Sequence, residues 1–378
     1  MKRLLQTLST LMIFFVTTTF ILAQKTIKTT IVHGGLVRSL SFYVPAKYTK
    51  GNLTPLVFNL HGYTSNGDQQ ELYGDFRKIA DTAGFIVVHP TGTLNSQTQQ
   101  TFWNCGLVGS SPVDDVGFIH AIIDTLSQAY SIDENRIYSC GMSNGGFMSY
   151  HLACLSDRFA AIGSVTGSMT TFTTQQCSKT VRMPIMEIHG DADAVVAYNG
   201  GIGFSSIPKV IEFWIAKNGL DPMSAQKTNV PNINTTDNAT AELYIYPGMN
   251  EVQHYKVLNG GHTWPGAPFN IGTTCMDFNA SKVLWEFFSK HKKLPLRTNS
   301  SIVKHVSIYP NPVEDILRIN SEHEILTTSI SDQNGRTLIV TDNNLNKIEI
   351  DTRNLVPGVY ILNIQFQEGI EHIKFIKN

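Results

Sequence analysis

The chain has 378 residues, of which 42% are hydrophobic and 16% are charged, and its formal net charge is -1 at pH 7. This composition is that of a globular protein, and the length suffices for one large domain and one small one. A charge so close to zero excludes the capture of nucleic acid or of an anionic membrane by general electrostatic attraction. Any partner must therefore be recognised by local features.

The chain opens with a targeting segment. Lys2 and Arg3 precede an apolar run from Leu11 to Ala23, and Ala23-Gln24 forms a small-residue cleavage point. The run is too short, and its C-terminal flank too polar, for a membrane-spanning helix, which needs about 20 apolar residues. We interpret residues 1–23 as a signal peptide, expect no membrane span, and predict that the mature protein is exported.

Strand-like apolar runs alternate with helical periodicity through residues 24–291. The runs lie at 56–60, 85–88, 137–140, 161–165, 185–188 and 252–258, and helical periods fit 116–130 and 280–288. Alternating strands and helices predict an α/β domain with a mostly parallel sheet that is covered on both faces. Such a sheet binds ligands beyond the carboxyl ends of its strands.

The hexapeptide Gly141-Met142-Ser143-Asn144-Gly145-Gly146 follows one of these strands and precedes a helical segment. It has the G-x-S-x-G pattern that holds a serine on a sharp strand-to-helix turn with its hydroxyl exposed. Glycine is expected at 141 and 145 because a side chain there would collide with the neighbouring strand or helix. A structural Gly/Ser turn is the alternative, but the correct elements on both sides favour a nucleophile.

A serine nucleophile needs a histidine base, and an acid must hold that base in the correct tautomer. In sheets of this kind the chain order is serine, acid, histidine. We assign the base to His262, on a turn-rich loop before the last helix, and the acid to Asp193, which follows a strand. Asp191 is the alternative acid. We favour Asp193 because the chain needs a residue or two to turn back over the sheet edge.

Two backbone N–H groups must stabilise the negative charge that develops on the substrate carbonyl. We assign one to Asn144, the residue after the nucleophile. The other comes from the loop after an early strand, Asn59-Leu60-His61-Gly62-Tyr63-Thr64-Ser65, where we assign it to Tyr63. An ordinary glycine turn at the end of the strand is the alternative for this loop.

Two tryptophans flank the predicted site. Trp103 lies on a loop before a helical segment, and Trp264 lies two residues after His262. We predict that both bind substrate by stacking on an aryl or sugar ring; the alternative is that they pack within their own domain. The carboxylates of Asp114 and Asp115 are interpreted as helix N-terminal caps rather than catalytic groups.

The five cysteines lie in the exported part of the chain, where oxidising conditions favour disulfides. Their spacing does not resemble a zinc site, and we expect neither a metal nor a cofactor. An odd count leaves at least one cysteine unpaired. We predict the pairs Cys154–Cys177 and Cys105–Cys275, with Cys140 buried and free.

The composition and the pattern of the sequence change near residue 291. All cysteines and tryptophans precede residue 286, and residues 292–302 are basic and then polar, as a linker would be. Residues 303–378 contain short strand-like runs separated by turn signals at Asn334-Gly335, Asp342-Asn343-Asn344 and Pro357-Gly358. This pattern predicts a small all-β sandwich without a catalytic role.

Six motifs of the first domain resemble, in order, those of the secreted poly(3-hydroxybutyrate) depolymerase-like and feruloyl esterase family of α/β-hydrolases. They are Leu60-His61-Gly62, Trp103-Asn104, Val113 to Phe118, Gly141 to Gly146, His189 to Asp193 and Gly261 to Gly266. The resemblance implies an α/β-hydrolase fold with Ser143, Asp193 and His262 as a triad. It also implies carboxylic ester substrates, commonly feruloyl or acetyl groups on plant polysaccharide or hydroxyalkanoate polyesters.

The end of the chain resembles the C-terminal sorting domain of the Bacteroidetes type IX secretion system. The residues that carry this resemblance are Ser307 to Val313, Leu317 to Ile319, Asp332 to Gly335, Leu355 to Tyr360 and Lys374 to Lys377. It implies export to the cell surface or beyond, with the secretion machinery as a partner.

The sequence therefore predicts a secreted serine esterase that acts on feruloyl or acetyl esters of a polysaccharide. A polyester depolymerase with the same triad is the nearest alternative. A non-catalytic polysaccharide-binding surface protein is the alternative from another class, but such a protein is expected to lack a member of the triad, and none is missing here.

Overall fold

The computed structural model describes residues 25–107, 111–178, 180–269, 271–293, 306–332, 336–366 and 369–378. The chain divides into two compact units, Met1–Lys293 and Leu294–Asn378. The predicted signal peptide, and residues 294–302 of the predicted linker, lie outside the described residues. The domain boundaries drawn from the sequence therefore stay a prediction.

The first unit contains twelve strands among its described residues. They are β1 (Lys25–His33), β2 (Leu36–Val44), β3 (Thr54–Leu60), β4 (Ile86–Pro90), β5 (Thr93–Leu94), β6 (Thr101–Phe102), β7 (Ile132–Met142), β8 (Ala161–Val165), β9 (Ile185–Gly190), β10 (Gln226–Asn229), β11 (Thr240–Tyr246) and β12 (Val252–Leu258). The six strands predicted from apolar runs are all present.

Its helices alternate with these strands. They are α1 (Gly67–Tyr73), α2 (Arg77–Ala83), α3 (Asp115–Ala129), α4 (Asn144–Leu155), α5 (Thr171–Gln176), α6 (Ile207–Asn218) and α7 (Ala280–Phe288), with a 3₁₀ turn at Pro222–Ser224. Local chemistry fixes several helix starts. Asp114 caps α3 by accepting a hydrogen bond from the N–H of Gly117, and Asn279 caps α7 in the same way through Lys282.

Ten strands of the described first unit form one sheet, in the order β1-β2-β4-β3-β7-β8-β9-β12-β11-β10. The pairs from β4 through β12 are parallel, whereas β1, β2, β10 and β11 pair antiparallel at the two edges. This is the predicted mostly parallel sheet. Its carboxyl edge gathers the loops that follow β3, β7, β9 and β12.

Each face of the sheet buries its own hydrophobic core. Helices α3, α4 and α6 contribute Phe118, Phe147 and Trp214 to one core. Helices α2 and α7 contribute Ala80 and Phe287 to the other. Because close-packed side chains cover both faces of the parallel strands, the sheet is a rigid base for the loops at its edge.

The disulfide prediction is half right. Cys154 and Cys177 are bonded, and Cys140 is buried and free. The predicted Cys105–Cys275 bond is wrong, because Cys105 belongs to the core on one face of the sheet and Cys275 to the core on the other. A disulfide requires its two Cα atoms to lie within about 7 Å of each other, which the intervening sheet prevents.

The second unit is an antiparallel all-β domain. Its strands are β13 (Ser307–Tyr309), β14 (Ile316–Ser331), β15 (Thr337–Asp351), β16 (Gly358–Phe366) and β17 (Gly369–Lys377). They pair in the order β13-β14-β16-β17, and β15 also pairs with β14.

The predicted turn at Asp342-Asn343-Asn344 is wrong. The long strand β15 runs through these residues, and the β14–β15 ladder absorbs the irregularity as register shifts near Ile325. The predicted turn at Asn334-Gly335 lies outside the described residues. In the part of the chain that the structure describes, every helix is too short or too polar to cross a membrane.

Four buried histidines make the stability of the first unit depend on pH. Burial lowers the pKa of His61 and His151 to about 4, and that of His89 and His254 to about 3. Each folded-state pKa lies below the unfolded value, so the unfolded chain binds more protons as the pH falls below about 6.5. The stability that these groups contribute is complete above that pH and is lost below it.

We therefore expect the free energy of unfolding to fall by about 1 kcal/mol per histidine for each pH unit below 6.5. Urea unfolding of the purified protein between pH 7 and 4.5 measures this slope. The variant His151→Gln can retain the hydrogen bond to Thr173 and should reduce the slope by the share of one histidine. A slope identical to that of the wild type would contradict the prediction.

Candidate active site

Ser143 lies on the turn between β7 and α4. Its backbone adopts φ 54° and ψ -121°, a strained conformation, and its N–H donates a hydrogen bond to the carbonyl of Val165 at 2.8 Å. A Cβ added at Gly145 would lie 2.2 Å from the carbonyl oxygen of Leu60, and one at Gly141 would lie 2.6 Å from it. The steric reason for both glycines is therefore confirmed.

His262 lies on the loop after β12 and contacts Asp193 on the loop after β9. Its Nδ1 lies 2.7 Å from Asp193 Oδ2, and its side chain remains 17% exposed. An ionised carboxylate accepts hydrogen bonds, so Nδ1 carries the proton and Nε2 is left to accept one. His262 and Ser143 line the same pocket.

The carboxylate of Asp193 is held from two sides. Its Oδ1 accepts hydrogen bonds from the N–H groups of Val195 and Val196, at 2.8 and 2.9 Å. Burial alone raises the pKa of Asp193, but the hydrogen bonds from His189 and His262 outweigh it, and the pKa lies well below its ordinary value. The group is ionised throughout the neutral range.

Asp191, the alternative acid, makes different contacts. Its Oδ1 accepts a hydrogen bond from the N–H of Asn259 at 2.8 Å, and its Oδ2 lies 3.6 Å from Lys256 Nζ. This carboxylate joins the loop after β9 to the loop that carries His262. Of the two carboxylates, Asp193 contacts the base.

His189 lies behind the acid, a contact that sequence reasoning missed. Its Nδ1 lies 2.9 Å from Glu187 Oε1, and its Nε2 lies 2.8 Å from the carbonyl of Val196 and 3.4 Å from Asp193 Oδ2. Burial alone lowers the pKa of His189, but Asp193 and Glu187 raise it to about 9. The available signal was spacing, because His189, near the end of β9, precedes Asp193 by only four residues.

The two N–H groups predicted to bind an oxyanion belong to the loop after β3 and to the start of α4. Asn144 is the first residue of α4, where an N–H has no carbonyl partner in its own helix. Tyr63 follows Gly62, whose added Cβ would lie 3.4 Å from Ser143 Cβ, so the loop after β3 approaches the nucleophile closely. The assignment of both N–H groups as oxyanion donors stays a prediction.

His61 fixes the orientation of the Tyr63 N–H. The N–H of Gly92 donates to His61 Nε2 at 2.9 Å, so the proton of the neutral ring lies on Nδ1, which donates to the carbonyl of Gly62 at 2.7 Å. In a trans peptide the N–H points opposite to the carbonyl. Anchoring the Gly62 carbonyl therefore directs the Tyr63 N–H away from His61.

A pocket of about 450 Å³ opens at the serine. Its walls are largely apolar, and the ring centroids of Tyr73 and Phe269 lie 5.2 Å apart. Leu72, Phe269 and Ile271 are about half exposed and form its rim. Sequence reasoning missed these residues, since nothing in their local pattern distinguishes them from ordinary loop and helix residues. The lining residues are Gly62, Tyr63, Ser65, Gln69, Gln70, Leu72, Tyr73, Met142, Ser143, His262, Phe269 and Ile271.

Trp103 and Trp264 are not in this pocket, and the prediction that they stack on a substrate is wrong. Both side chains are fully buried. The indole N–H of Trp103 donates to the carbonyl of His61, and that of Trp264 donates to Ser281 Oγ. Each belongs to the core on one face of the sheet, where no ligand ring can reach it.

One group of potential metal ligands occurs among the described residues. Donor atoms of Asp237, Cys275 and Asp277 lie within 4.8 Å of one another. Both carboxylates already accept backbone hydrogen bonds, from Met276 and from Ile233, for example. Burial raises the pKa of the Cys275 thiol to about 12, which disfavours the thiolate that a metal needs. None of these three residues lines the pocket, and the group has no part in the chemistry derived below.

The mixed sheet, the serine on a strand-to-helix turn and the histidine after the last strand of the sheet define an α/β-hydrolase. Residues 38–236 match the family described as Esterase PHB depolymerase. This match covers more than half of the chain, and the chain belongs to that family. The matched segment contains Ser143, Asp193 and Tyr63 and ends before His262.

Two relatives illustrate the similarity. The chain is 29% identical over 238 residues to a bifunctional acetylxylan esterase/xylanase of Neocallimastix patriciarum, covering 61% of this chain and 31% of that protein. It is 29% identical over 223 residues to feruloyl esterase B of Piromyces equi, covering 58% of this chain and 41% of that protein. The chain therefore spans less than half the length of either relative.

Among solved structures, an acetyl xylan esterase from Aspergillus awamori superposes with a TM-score of 0.52 at 15% identity. The superposition covers 70% of this chain and 99% of that one. At this identity the similarity shows the fold alone.

Residues 307–378 match the family described as a secretion system C-terminal sorting domain. The protein is therefore secreted or held at the cell surface. The small all-β unit serves this export, as the sequence predicted.

Proposed function

We propose that the chain is a serine carboxylic-ester hydrolase that works through an acyl-enzyme. The observation that carries the proposal is the 2.7 Å contact between His262 Nδ1 and Asp193 Oδ2, beside a pocket that Ser143 also lines. The nucleophile, the acid and the base follow β7, β9 and β12 respectively, which is the chain order that the fold requires.

The reaction has two halves. His262 Nε2 takes the proton of Ser143 Oγ as this oxygen attacks the ester carbonyl, and the N–H groups of Tyr63 and Asn144 donate to the resulting oxyanion. Collapse of the intermediate expels the alcohol, which takes the proton from His262. Water then attacks the acyl-enzyme by the same route and releases the acid. Asp193 keeps the proton of the neutral ring on Nδ1 and stabilises the imidazolium that forms in each half.

The apolar walls favour an aromatic acyl group. A feruloyl ring can stack against the Tyr73–Phe269 pair, whereas an acetyl group leaves most of a 450 Å³ pocket empty. We therefore propose feruloyl esters of a polysaccharide as the preferred substrates, with acetyl esters hydrolysed less well. The exposed apolar rim of Leu72, Phe269 and Ile271 supports a second candidate, a hydroxyalkanoate polyester, whose chain is also apolar.

Hydrolysis of methyl ferulate, acetylated xylan and a hydroxybutyrate oligomer tests this choice. Ring stacking is worth about 0.5–1.5 kcal/mol, so we expect kcat/KM for methyl ferulate to exceed that for a methyl acetate control by roughly two- to tenfold beyond their intrinsic reactivity ratio. The variant Phe269→Leu keeps an apolar wall and should lose this advantage without a change toward acetate. Equal loss on both substrates would contradict aromatic recognition, and turnover of the oligomer alone would favour the polyester.

A further inference from the structure

The two proposed oxyanion donors belong to separate parts of the fold. Tyr63 lies on the loop after β3, and Asn144 begins α4 after β7. A substrate oxygen must accept from both N–H groups at about 2.7–3.1 Å, so their separation is as important as their presence. Strands β3 and β7 pair side by side up to Leu60 and Gly141, so the sheet fixes the two strand ends. Beyond these ends, contacts to other residues must hold Tyr63 and Asn144 in place.

Trp103 contacts both elements. Its backbone N–H donates to Asn144 Oδ1 at 2.6 Å, and its carbonyl accepts a hydrogen bond from Asn144 Nδ2 at 3.2 Å. Its indole Nε1 donates to the carbonyl of His61 at 3.0 Å, and the His61 and Trp103 rings lie 5.1 Å apart. All three side chains are fully buried. Trp103 thus joins the residue that carries one donor to the residue that orients the other.

Trp103 is itself anchored. The N–H of its neighbour Asn104 donates to Asp115 Oδ2 at 2.7 Å, and Asp115 Oδ1 lies 2.6 Å from Arg38 Nη2 in a buried ion pair. These contacts attach the loop to the first turn of α3 and to β2. Because a buried charge pair cannot shift without exposing an uncompensated charge, the loop resists displacement.

We propose that Trp103 is a positioning residue that sets the spacing of the Tyr63 and Asn144 N–H groups. This inference rests on the proposed esterase function and explains why a tryptophan beside the site is buried rather than available to a ligand. Trp103 does not touch substrate. It acts on the transition state, where the oxyanion exists, and not on the ground-state complex.

The variant Trp103→Phe tests the proposal because it keeps an aromatic ring and removes the hydrogen bond to His61. A displacement of about 1 Å at a catalytic group can cost roughly 100-fold. We expect kcat to fall by about 10- to 100-fold with little change in KM. The affinity for phenylboronic acid, whose adduct with a serine places an oxygen in the oxyanion position, should weaken in parallel with kcat.

Trp214→Phe is the matched control. Trp214 is fully buried in the same core as Trp103, and within the described part of the chain its indole N–H has no hydrogen-bond partner. The Trp214→Phe variant measures the effect of a smaller ring without the loss of a hydrogen bond. We expect its kcat to stay within about twofold of the wild type. A Trp103→Phe variant with the same kcat as this control would overturn the proposal.

A second variant covers the case in which Trp103→Phe does not fold. Asn144→Ala removes the two side-chain hydrogen bonds to the backbone of Trp103 and leaves the backbone N–H of residue 144 in place. We expect kcat and boronate affinity to fall together in this variant as well. Wild-type kcat in this variant would overturn the proposal. A separate result would contradict the proposed function: a Ser143→Ala variant that hydrolyses esters at the wild-type rate.

Discussion

Replacement of Ser143 by alanine is expected to lower kcat for a short-chain p-nitrophenyl ester by roughly 10⁴- to 10⁶-fold, to near the background rate. Without the hydroxyl no acyl-enzyme can form, and only the oxyanion donors and substrate binding remain. The serine side chain makes no capping hydrogen bond to α4, so its removal leaves the fold intact. Release of p-nitrophenol at substrate saturation, together with the thermal unfolding midpoint, measures both effects.

Ser149→Ala is a control on the same helix. Ser149 Oγ donates to the carbonyl of Gly145 at 3.0 Å and lies 2.9 Å from Ser139 Oγ, away from the pocket. Its loss should cost about 1 kcal/mol of stability and leave kcat within about twofold. A fluorophosphonate should also add covalently to wild-type Ser143 and not to the Ser143→Ala variant. Wild-type turnover in Ser143→Ala would exclude this serine as the nucleophile.

The parts of the site that depend on local geometry can be predicted from the sequence. The turn at Ser143 needs glycine at 141 and 145, which leaves a readable pattern, and the chain order of an α/β sheet limits the search for partners. Turn length and the family resemblance both favour Asp193 rather than Asp191 as the partner of His262. These features are encoded within a few residues, or in the order of elements.

The errors in the first unit concern the face of the sheet on which a residue lies. Trp103 and Cys105 belong to one core, and Trp264 and Cys275 to the other. A loop residue gives no periodic signal, so its sequence does not reveal whether it points into a core or toward a ligand. For the same reason Tyr73 and Phe269, whose rings contact each other in the pocket wall, could not be associated before the loops were folded.

The aromatic residues near Ser143 are proposed to have two different roles, according to whether they line the pocket. Tyr73 and Phe269 line the pocket, whereas Trp103 is fully buried outside it and contacts His61 and Asn144. Substitution of Tyr73 or Phe269 should change the ratio of kcat/KM between different esters. Substitution of Trp103 should lower kcat for all esters by the same factor. This contrast follows from geometry alone and separates specificity from transition-state stabilisation.

Replacement of Asp193 by asparagine is expected to lower kcat by about 10⁴-fold. Two backbone N–H groups donate to Asp193 Oδ1, so the amide oxygen of asparagine would occupy that position and its NH₂ group would face His262 Nδ1. An NH₂ donor requires Nδ1 to be an acceptor, which moves the ring proton to Nε2. In that tautomer His262 cannot take the proton of Ser143. The pH profile and kcat of the variant on the p-nitrophenyl ester measure the effect.

Asp191→Asn is the matched control, because the same change is made two residues away on the same loop. Its amide oxygen can still accept the hydrogen bond from Asn259, and only the long contact with Lys256 loses its charge. A contact of this kind, partly exposed to solvent, contributes little, and we expect kcat to stay within a few-fold of the wild type. The opposite result, with Asp191→Asn inactive and Asp193→Asn active, would assign the acid to Asp191. In that case the contact between His262 and Asp193 would serve only to hold the loop, and the tautomer of the base would have to be fixed by a carboxylate that the structure ties to Asn259.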